Sequence, residues 1–292
     1  MTLPRHTRIL NFFRKAFMNT PCEYVLAMAM TNQVTRFLAF KLLPNHYQYK
    51  RPTIRKVVRK GIKFSLDISN WNDWEVYFNA TEKSLLQFIT FCEPGFVVLD
   101  VGTNIGYTAL SFAVRVGPSG KVFGFEPHSG TFRKLQANSE FNSFSQLHIS
   151  QVALGAKPGR AGLQVISENN SGKNRITGNK EIDPNQPIEV TTVDVFCDSK
   201  SLQRVDLMKI DVEGFELEVI KGALNTLERF SPVLFIELDD ENLRALGTTP
   251  AQLVEELQKA GYKVSNARTQ EKITVSSEFN NCHFDIFCRK ES

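Results

Sequence analysis

The sequence predicts an α/β fold: a mostly parallel sheet, completed by an antiparallel last strand and preceded by a basic helical extension. Three observations predict it. From Phe96 onward, apolar runs at Phe96–Val101, Lys121–Glu126, Leu147–Leu154, Val205–Val212 and Val233–Leu238 alternate with helical patterns, as in right-handed βαβ units. The first run passes through an acid into a glycine-bearing turn, "VVLDVGTNIGYTAL", Val97 to Leu110. The chain ends on "YKVSNA", "KITVSS" and "HFDIFCRK", strand patterns joined by short turns, which predict an antiparallel hairpin.

In chain order, residues 1–53 read as a basic, mainly helical arm. Ile9, Phe12, Phe13 and Phe17 recur at three-to-four spacing, giving one or two helices. Residues 54–95 read as a strand pair turning near Gly61, "VVRKGIKFSLDIS", followed by one helical region closed by Glu93-Pro94-Gly95. Residues 96–292 form the main domain, with helices expected at Ile105–Val116, Gly130–Asn142, Phe215–Phe230 and Pro250–Ala260. Within it "SENNSGKNRITGNKEIDPNQP", flanked by "AGLQVI" and "IEVTTVDVF", reads as an inserted hairpin and loop over about 156–195, near the ligand edge.

Composition narrows the function classes. Apolar and charged contents of 42% and 23% are those of a globular protein, and the longest uncharged apolar stretch, Tyr24–Thr35, is too short to span a bilayer. Five scattered cysteines without a C-x-x-C pair argue against a disulfide framework or zinc and for a reducing compartment. No signal peptide is read at the N-terminus, so the expected location is cytoplasmic. Charge is uneven: residues 1–66 carry 13 Lys/Arg and a single acid, Glu23, a net of +12, against −8 for the remainder. Such an arm suits an anionic membrane surface, packs on its own acidic body, or is solvated. Nucleic acid is not expected as a partner, since no binding module accompanies the charge.

Ligands of an open parallel sheet sit beyond the carboxyl ends of its strands. The turn after the first strand is no phosphate loop, lacking the Gly-Lys pair, and a dinucleotide fingerprint would need glycine where Asn104 and Tyr107 stand. Asp100 at that strand's end would repel pyrophosphate but suits a ligand with an ammonium and a sulfonium centre. S-adenosylmethionine is such a ligand. Its amino-acid tail is expected across Gly102, Thr103, Asn104 and Gly106, where backbone N–H groups and the Asn104 amide meet its carboxylate. Glu126, at the end of "KVFGFEP" and before Pro127, can accept two ribose hydroxyls. The backbone of Val152–Gly155, centred on Ala153, offers a place for adenine.

Here the residues resemble a known family. "LDVGTNIGYTAL", "VFGFEP", "LQAN", "VALG" and above all "MKIDVEGFELEVIKGA" are similar to the FkbM-type methyltransferases over roughly Phe96 to Val264. The resemblance implies an S-adenosylmethionine-dependent O-methyltransferase on a Rossmann-like, seven-stranded sheet with the last strand antiparallel, acting on a sugar, glycolipid or other small-molecule hydroxyl.

A hydroxyl acceptor loses a proton as it is methylated, so a positioned base helps. Asp211, Glu213 and His128 are the candidates, with Asp211 alternatively orienting the acceptor or touching the cofactor. Glu216 and Glu218 are read as acids complementing a helix's positive end. Glu237 and Asp239 end the fifth strand and can line the acceptor pocket; with Asp211 they offer oxygen ligands, yet no spacing demands a metal and none is expected. Two other classes remain open: a non-catalytic, membrane-peripheral binding protein and, disfavoured by Asn104 and Tyr107, a nicotinamide-dependent oxidoreductase.

Overall fold

The computed structural model describes residues 4–164, 175–177 and 187–290. The chain divides into two compact units, Met1–Glu82 and, beyond it, Lys83–Ile166 with Gly172–Ser292. The division falls inside the 54–95 segment, so the strand pair belongs with the basic arm.

In the first unit, α1 (Arg5–Arg14) runs into a 3-10 turn at Lys15–Phe17. Asn19 then caps α2 (Thr20–Ala29) by accepting the Cys22 N–H at 3.1 Å, and Asn32 caps α3 (Gln33–Leu42) by accepting the Val34 N–H at 2.8 Å. The arm therefore holds three helices rather than one or two, because each asparagine restarts the helix. β1 (Ile54–Arg59) pairs antiparallel with β2 (Ile62–Asp67). Their two-residue turn puts Lys60 at φ 50° and Gly61 at φ 82°, the left-handed pair that matches strand twist. Alternate residues Ile62, Phe64 and Leu66 are buried. α4 (Trp71–Tyr77) completes the unit, with the Trp74 indole donating to Pro44 O at 2.8 Å. The expected single helix over this region is two, since Asn79 takes φ 54°.

The second unit opens with α5 (Lys83–Thr90), β3 (Val97–Val101), α6 (Tyr107–Val116), β4 (Lys121–Phe125), α7 (Ser129–Asn142) and β5 (Leu147–Ser150). The apolar run expected as one strand to Leu154 breaks after Ser150. Its end, β6 (Ala153–Leu154), joins a small separate sheet with β7 (Gly159–Gln164), β8 (Arg175–Thr177) and β9 (Ile188–Thr191), in the order β6-β9-β7-β8. This is the inserted element; its stretches 165–174 and 178–186 lie outside the described residues. "VDVF", expected as strand, is instead α8 (Val193–Ser199), started by Thr192, whose hydroxyl accepts the Val195 N–H.

Then come β10 (Leu207–Ile210), α9 (Glu216–Lys221), α10 (Leu224–Phe230), β11 (Val233–Asp239), α11 (Asp240–Ala245), α12 (Pro250–Lys259), β12 (Tyr262–Asn266), β13 (Lys272–Ile273) and β14 (His283–Lys290). The long helix expected at 215–230 is split at Gly222, where an added Cβ would stand 2.0 Å from Gly155 O. The main sheet runs β13-β12-β14-β11-β10-β3-β4-β5, with β14 antiparallel to both neighbours. The seven expected strands are present, and the two-residue β13 adds an eighth at the edge. Buried Leu99, Val101, Met208 and Ile210 pack with Leu217, Leu227, Leu253 and Leu257 of the helices; each such side chain contributes roughly 1.5–3 kcal/mol. Phe88 of α5 stacks on Phe235 at 5.0 Å and meets Phe112 of α6 edge-on. From β3 the strands step outward through β4 to β5 and, on the other side, from β10 to β11. The order reverses between β3 and β10, which puts the turns after those strands at the crevice where open sheets bind ligands. Among the described residues no helix is long and apolar enough to cross a membrane.

Candidate active site

The turn after β3 is held by its own backbone. Gly102 lies at φ 80°, and a Cβ there would stand 1.8 Å from Asp211 O, so only glycine lets the exit of β10 pass. The N–H groups of Gly102 and Thr103 both donate to Phe125 O, at 3.1 and 3.0 Å, and the Asn104 N–H donates to Glu126 Oε2 at 3.1 Å. The Gly106 N–H donates to Thr103 O. The Thr103 hydroxyl donates to Asp100 O at 2.7 Å and accepts the Phe125 N–H at 3.0 Å, tying β3 to β4. Four donors expected to meet a ligand carboxylate are thus engaged within the fold. The turn leaves Asn104 Oδ1 buried without a hydrogen-bond partner among the described residues, and it leads into the positive end of α6, begun by Gly106 at φ 99°.

Asp100 is also turned inward. Its side chain is fully buried, accepts the Thr108 hydroxyl at 2.5 Å, and faces Lys209 Nζ at 3.8 Å. The parallel register sets Lys209 directly beside Asp100, and Asp211, two residues along the same pleat, ion-pairs with Lys209 at 3.0 Å. Lys209 also donates to Gly102 O at 2.8 Å. The cation that answers Asp100 is therefore a lysine of the chain, and Asp211, with its side chain 42% exposed, is the carboxylate open to a ligand.

Glu126 stands at the tip of β4 with 9% of its surface exposed. Burial pushes its carboxyl up to about 7, against the pull of N–H bonds from His128 and Asn104. His128 follows the half-buried Pro127 and caps α7: its Nδ1 accepts the Thr131 N–H at 3.2 Å and lies 2.8 Å from Thr131 Oγ1. That nitrogen is committed to the helix, which removes it as a proton acceptor for a substrate. Ala153 pairs with Val190 and sits in a small core with Ala161, Ile176 and Ile188.

Acids converge after β10 and β11. Asp211, Glu213 and Glu237 each place one oxygen within 4.8 Å of the others, a spacing a cation with oxygen ligands can occupy. Asp239, the partner expected from sequence, instead caps α11 through the Asn242 N–H and pairs with His283 at 2.7 Å. Glu213 takes its place because its residue adopts φ 56° and Gly214 φ 105°. Burial, then Asp211 and Glu216, push the Glu213 carboxyl up to about 8, while Asn242, which donates to Glu213 Oε2 at 2.7 Å, and Arg175 hold it down. Glu237 is raised well above the ordinary carboxylate range by burial and by Asp211, Glu213, Glu216 and Asp285. Arg175 reaches from β8 to donate to Asn242 Oδ1.

The model of the FkbM methyltransferase domain matches residues 100–264, more than half of the chain. The chain belongs to the FkbM methyltransferase family. It is 30% identical to Methyltransferase 1 of Beauveria bassiana over 52% of this chain and 72% of that protein. It is 28% identical to the hexuronic acid methyltransferase AglP of Haloferax volcanii over 63% and 74% of the two chains. It is 26% identical to the 2-O-methyltransferase NoeI of Sinorhizobium fredii over 54% and 69%. As an FkbM methyltransferase the protein is an S-adenosylmethionine-dependent enzyme, and the matched span runs from Asp100 through the whole acidic motif after β10.

Sequence reasoning on this FkbM methyltransferase missed four residues of the site. Lys209 carried a signal: a lysine inside the buried strand "LMKI" requires acids beside it. Arg175 and Asn242 carried none, lying in a polar insert and an ordinary helix. Glu216, read as a helix-end acid, is 1% exposed and accepts the N–H groups of Val212 and Gly214 at 3.1 and 3.0 Å, so it also folds the loop after β10. Glu216→Ala should cost about 1–3 kcal/mol for each N–H it orphans, read as a lower thermal midpoint, with Glu216→Gln restoring part of it through its remaining oxygen. Burial raises Glu216 to about 7. Its contribution is therefore complete below its unfolded value and lost as pH rises through 7, so the alanine variant should differ least from the parent in alkaline buffer.

Proposed function

We propose that this FkbM methyltransferase methylates a hydroxyl oxygen of a sugar, glycolipid or other small-molecule acceptor. The observation that carries the reading is the convergence of Asp211, Glu213 and Glu237 at the carboxyl edge of the sheet, beside the β3 turn. A proton acceptor is needed there for an alcohol, and Glu213, raised to about 8 by burial and its acidic neighbours, supplies one near neutral pH. Two relatives are named for hexuronic acid and for 2-O methylation, which supports a sugar-type hydroxyl.

The residues fit S-adenosylmethionine, which when bound supplies an electrophilic methyl carbon on a positively charged sulfur. Each Glu126 oxygen holds one N–H bond, leaving acceptor capacity for ribose hydroxyls. The unpartnered Asn104 amide oxygen suits an ammonium donor, and the positive end of α6 suits the carboxylate of the amino-acid tail. Asp100 and Lys209 hold the turn in shape from beneath. Asp211 orients the acceptor, and Glu213 takes the hydroxyl proton as the new carbon–oxygen bond forms. All these groups lie within residues 96–292, which we infer to be the methyltransferase domain.

Calorimetry tests the donor. S-adenosylmethionine should bind and NAD should not, and Glu126→Gln should weaken donor binding by about tenfold to a hundredfold, the value of a hydrogen bond to a charged acceptor. Tight NAD binding with no response to S-adenosylmethionine would reject the assignment. For the acceptor, labelled methyl transfer to monosaccharides and uronic acids should give an O-methyl product by NMR; an N- or C-methylated product would remove oxygen from the proposal.

A further inference from the structure

Helices α1 to α3 each leave large apolar side chains exposed, and α1 and α2 bury polar ones as well. α1 exposes Ile9, Phe12 and Phe13, the two rings 71% and 60% open, while burying Asn11 and Arg14. α3 exposes Val34, Phe37 and Leu38 at the same three-to-four spacing, and α2 exposes Tyr24, Val25 and Met28 while burying Glu23 completely. Asn11, Arg14 and Glu23 lie inward because they bond there. Arg14 donates to Lys41 O at 3.0 Å and Asn11 Oδ1 at 3.1 Å, and Glu23 takes Arg55 through both oxygens at 2.8 and 3.1 Å. Thirteen of the eighteen large apolar side chains exposed among the described residues lie between Ile9 and Val58. Monomeric proteins seldom leave such a face to water.

The exposed charge of residues 1–66 has one sign. Glu23 is the sole acid of residues 1–66, and burial against Arg55 removes it from the surface. Arg5, Arg8, Lys15, Lys41, Lys50 and Lys60 remain exposed, and the Lys41 ammonium lies 4.2 Å from the Phe37 ring centroid, its charge next to the apolar face. Bases bordering exposed aromatic and aliphatic side chains are the pattern of an interfacial helix, apolar side chains among acyl chains and cations among headgroup phosphates. A second copy of the chain fits poorly, because a two-fold contact sets the same patch against itself, base against base. Nucleic acid answers the charge and not the aliphatic residues.

We propose that the α1–α3 face docks on the surface of an anionic lipid bilayer. The full chain should co-sediment with phosphatidylcholine vesicles containing phosphatidylserine, far less with phosphatidylcholine alone, and less at high salt. Replacing Phe12 and Phe37 together by serine should lower partitioning on the order of tenfold or more. The triple variant Arg5→Gln, Arg8→Gln, Lys15→Gln should lower it by about fivefold per base. All five side chains are exposed, and unchanged thermal midpoints confirm that both variants fold. Vesicle binding is read without methyl donor or acceptor, so its failure leaves the methyl-transfer assignment standing, and the reverse. Equal sedimentation with neutral and anionic vesicles overturns the proposal, as does parental binding by both variants. So does a concentration-dependent dimer by sedimentation velocity that the Phe12→Ser, Phe37→Ser variant abolishes, since the occupant would then be a second copy.

Discussion

Lys209→Met should destabilise the second unit by about 3–5 kcal/mol, the cost of breaking a buried ion pair and leaving one charge behind. Lys209 is 4% exposed at its side chain and stands between Asp100 and Asp211. Burial opposes its charge, yet Asp211 and Asp100 push its pKa up to about 12. Asp100 has no water to fall back on. Burial raises its carboxyl above the ordinary 3.8, and Lys209, then the Thr108 hydroxyl, restrain the rise. With methionine in place the restraint from the lysine is gone and the folded pKa climbs further. An acid whose folded pKa exceeds its unfolded one favours folding fully below the unfolded value and loses that contribution as pH rises through the folded one. The variant's deficit relative to the parent should therefore be smallest in acid and widen toward neutral pH. Comparison with the parent is required because Glu126, Glu216 and Glu213, raised to about 7, 7 and 8, already tilt its own profile the same way. Urea titrations followed by circular dichroism across pH measure this. The double variant Lys209→Met, Asp100→Asn removes both charges and keeps an acceptor for Thr108, so it should regain most of the loss. A single variant as stable as the parent at pH 7 would show that Asp100 is neutral in the native fold.

What the sequence made legible follows from how local each determinant is. β3, β4, β10 and β11 are short apolar runs with an acid at or just past their ends, and both the period and the punctuation lie within a few residues. The carboxyl edge, and the acids on it, could be placed for that reason. Which way those acids point could not. Asp100 is turned inward by a lysine 109 positions later, brought alongside by strand register. His128 looked like a base and caps a helix through Thr131, three residues on. The carboxylate trio takes Glu213 instead of Asp239 because of two left-handed backbone positions, Glu213 and Gly214, and a non-glycine residue in that conformation leaves little trace in composition. In the first unit, the three-to-four spacing of Ile9, Phe12 and Phe13 marks an apolar face without saying whether protein covers it. Only the inward hydrogen bonds of Asn11 and Arg14 decide that.

Glu213→Gln should lower kcat by about a hundredfold to ten-thousandfold, the range for loss of a positioned base, while leaving donor affinity by calorimetry unchanged. The pH profile separates this from a structural effect. With Glu213 raised to about 8, the parent's rate should climb with pH and level off above 8, because only the ionised carboxylate accepts the hydroxyl proton. Asp211, Glu213 and Glu237 repel one another, so that limb belongs to the cluster as a whole. Neutralising Glu213 relieves Glu237 of one neighbouring charge, and the residual limb of the glutamine variant should move to lower pH. Arg175→Ala acts in the opposite sense: the guanidinium lowers the Glu213 pKa, so its removal should carry the limb to higher pH with the plateau rate retained. A positioning role for Glu213 alone would reduce the plateau in the glutamine variant and move neither limb. The proton would then go to Asp211, whose ion pair with Lys209 holds it at the mouth of the same crevice.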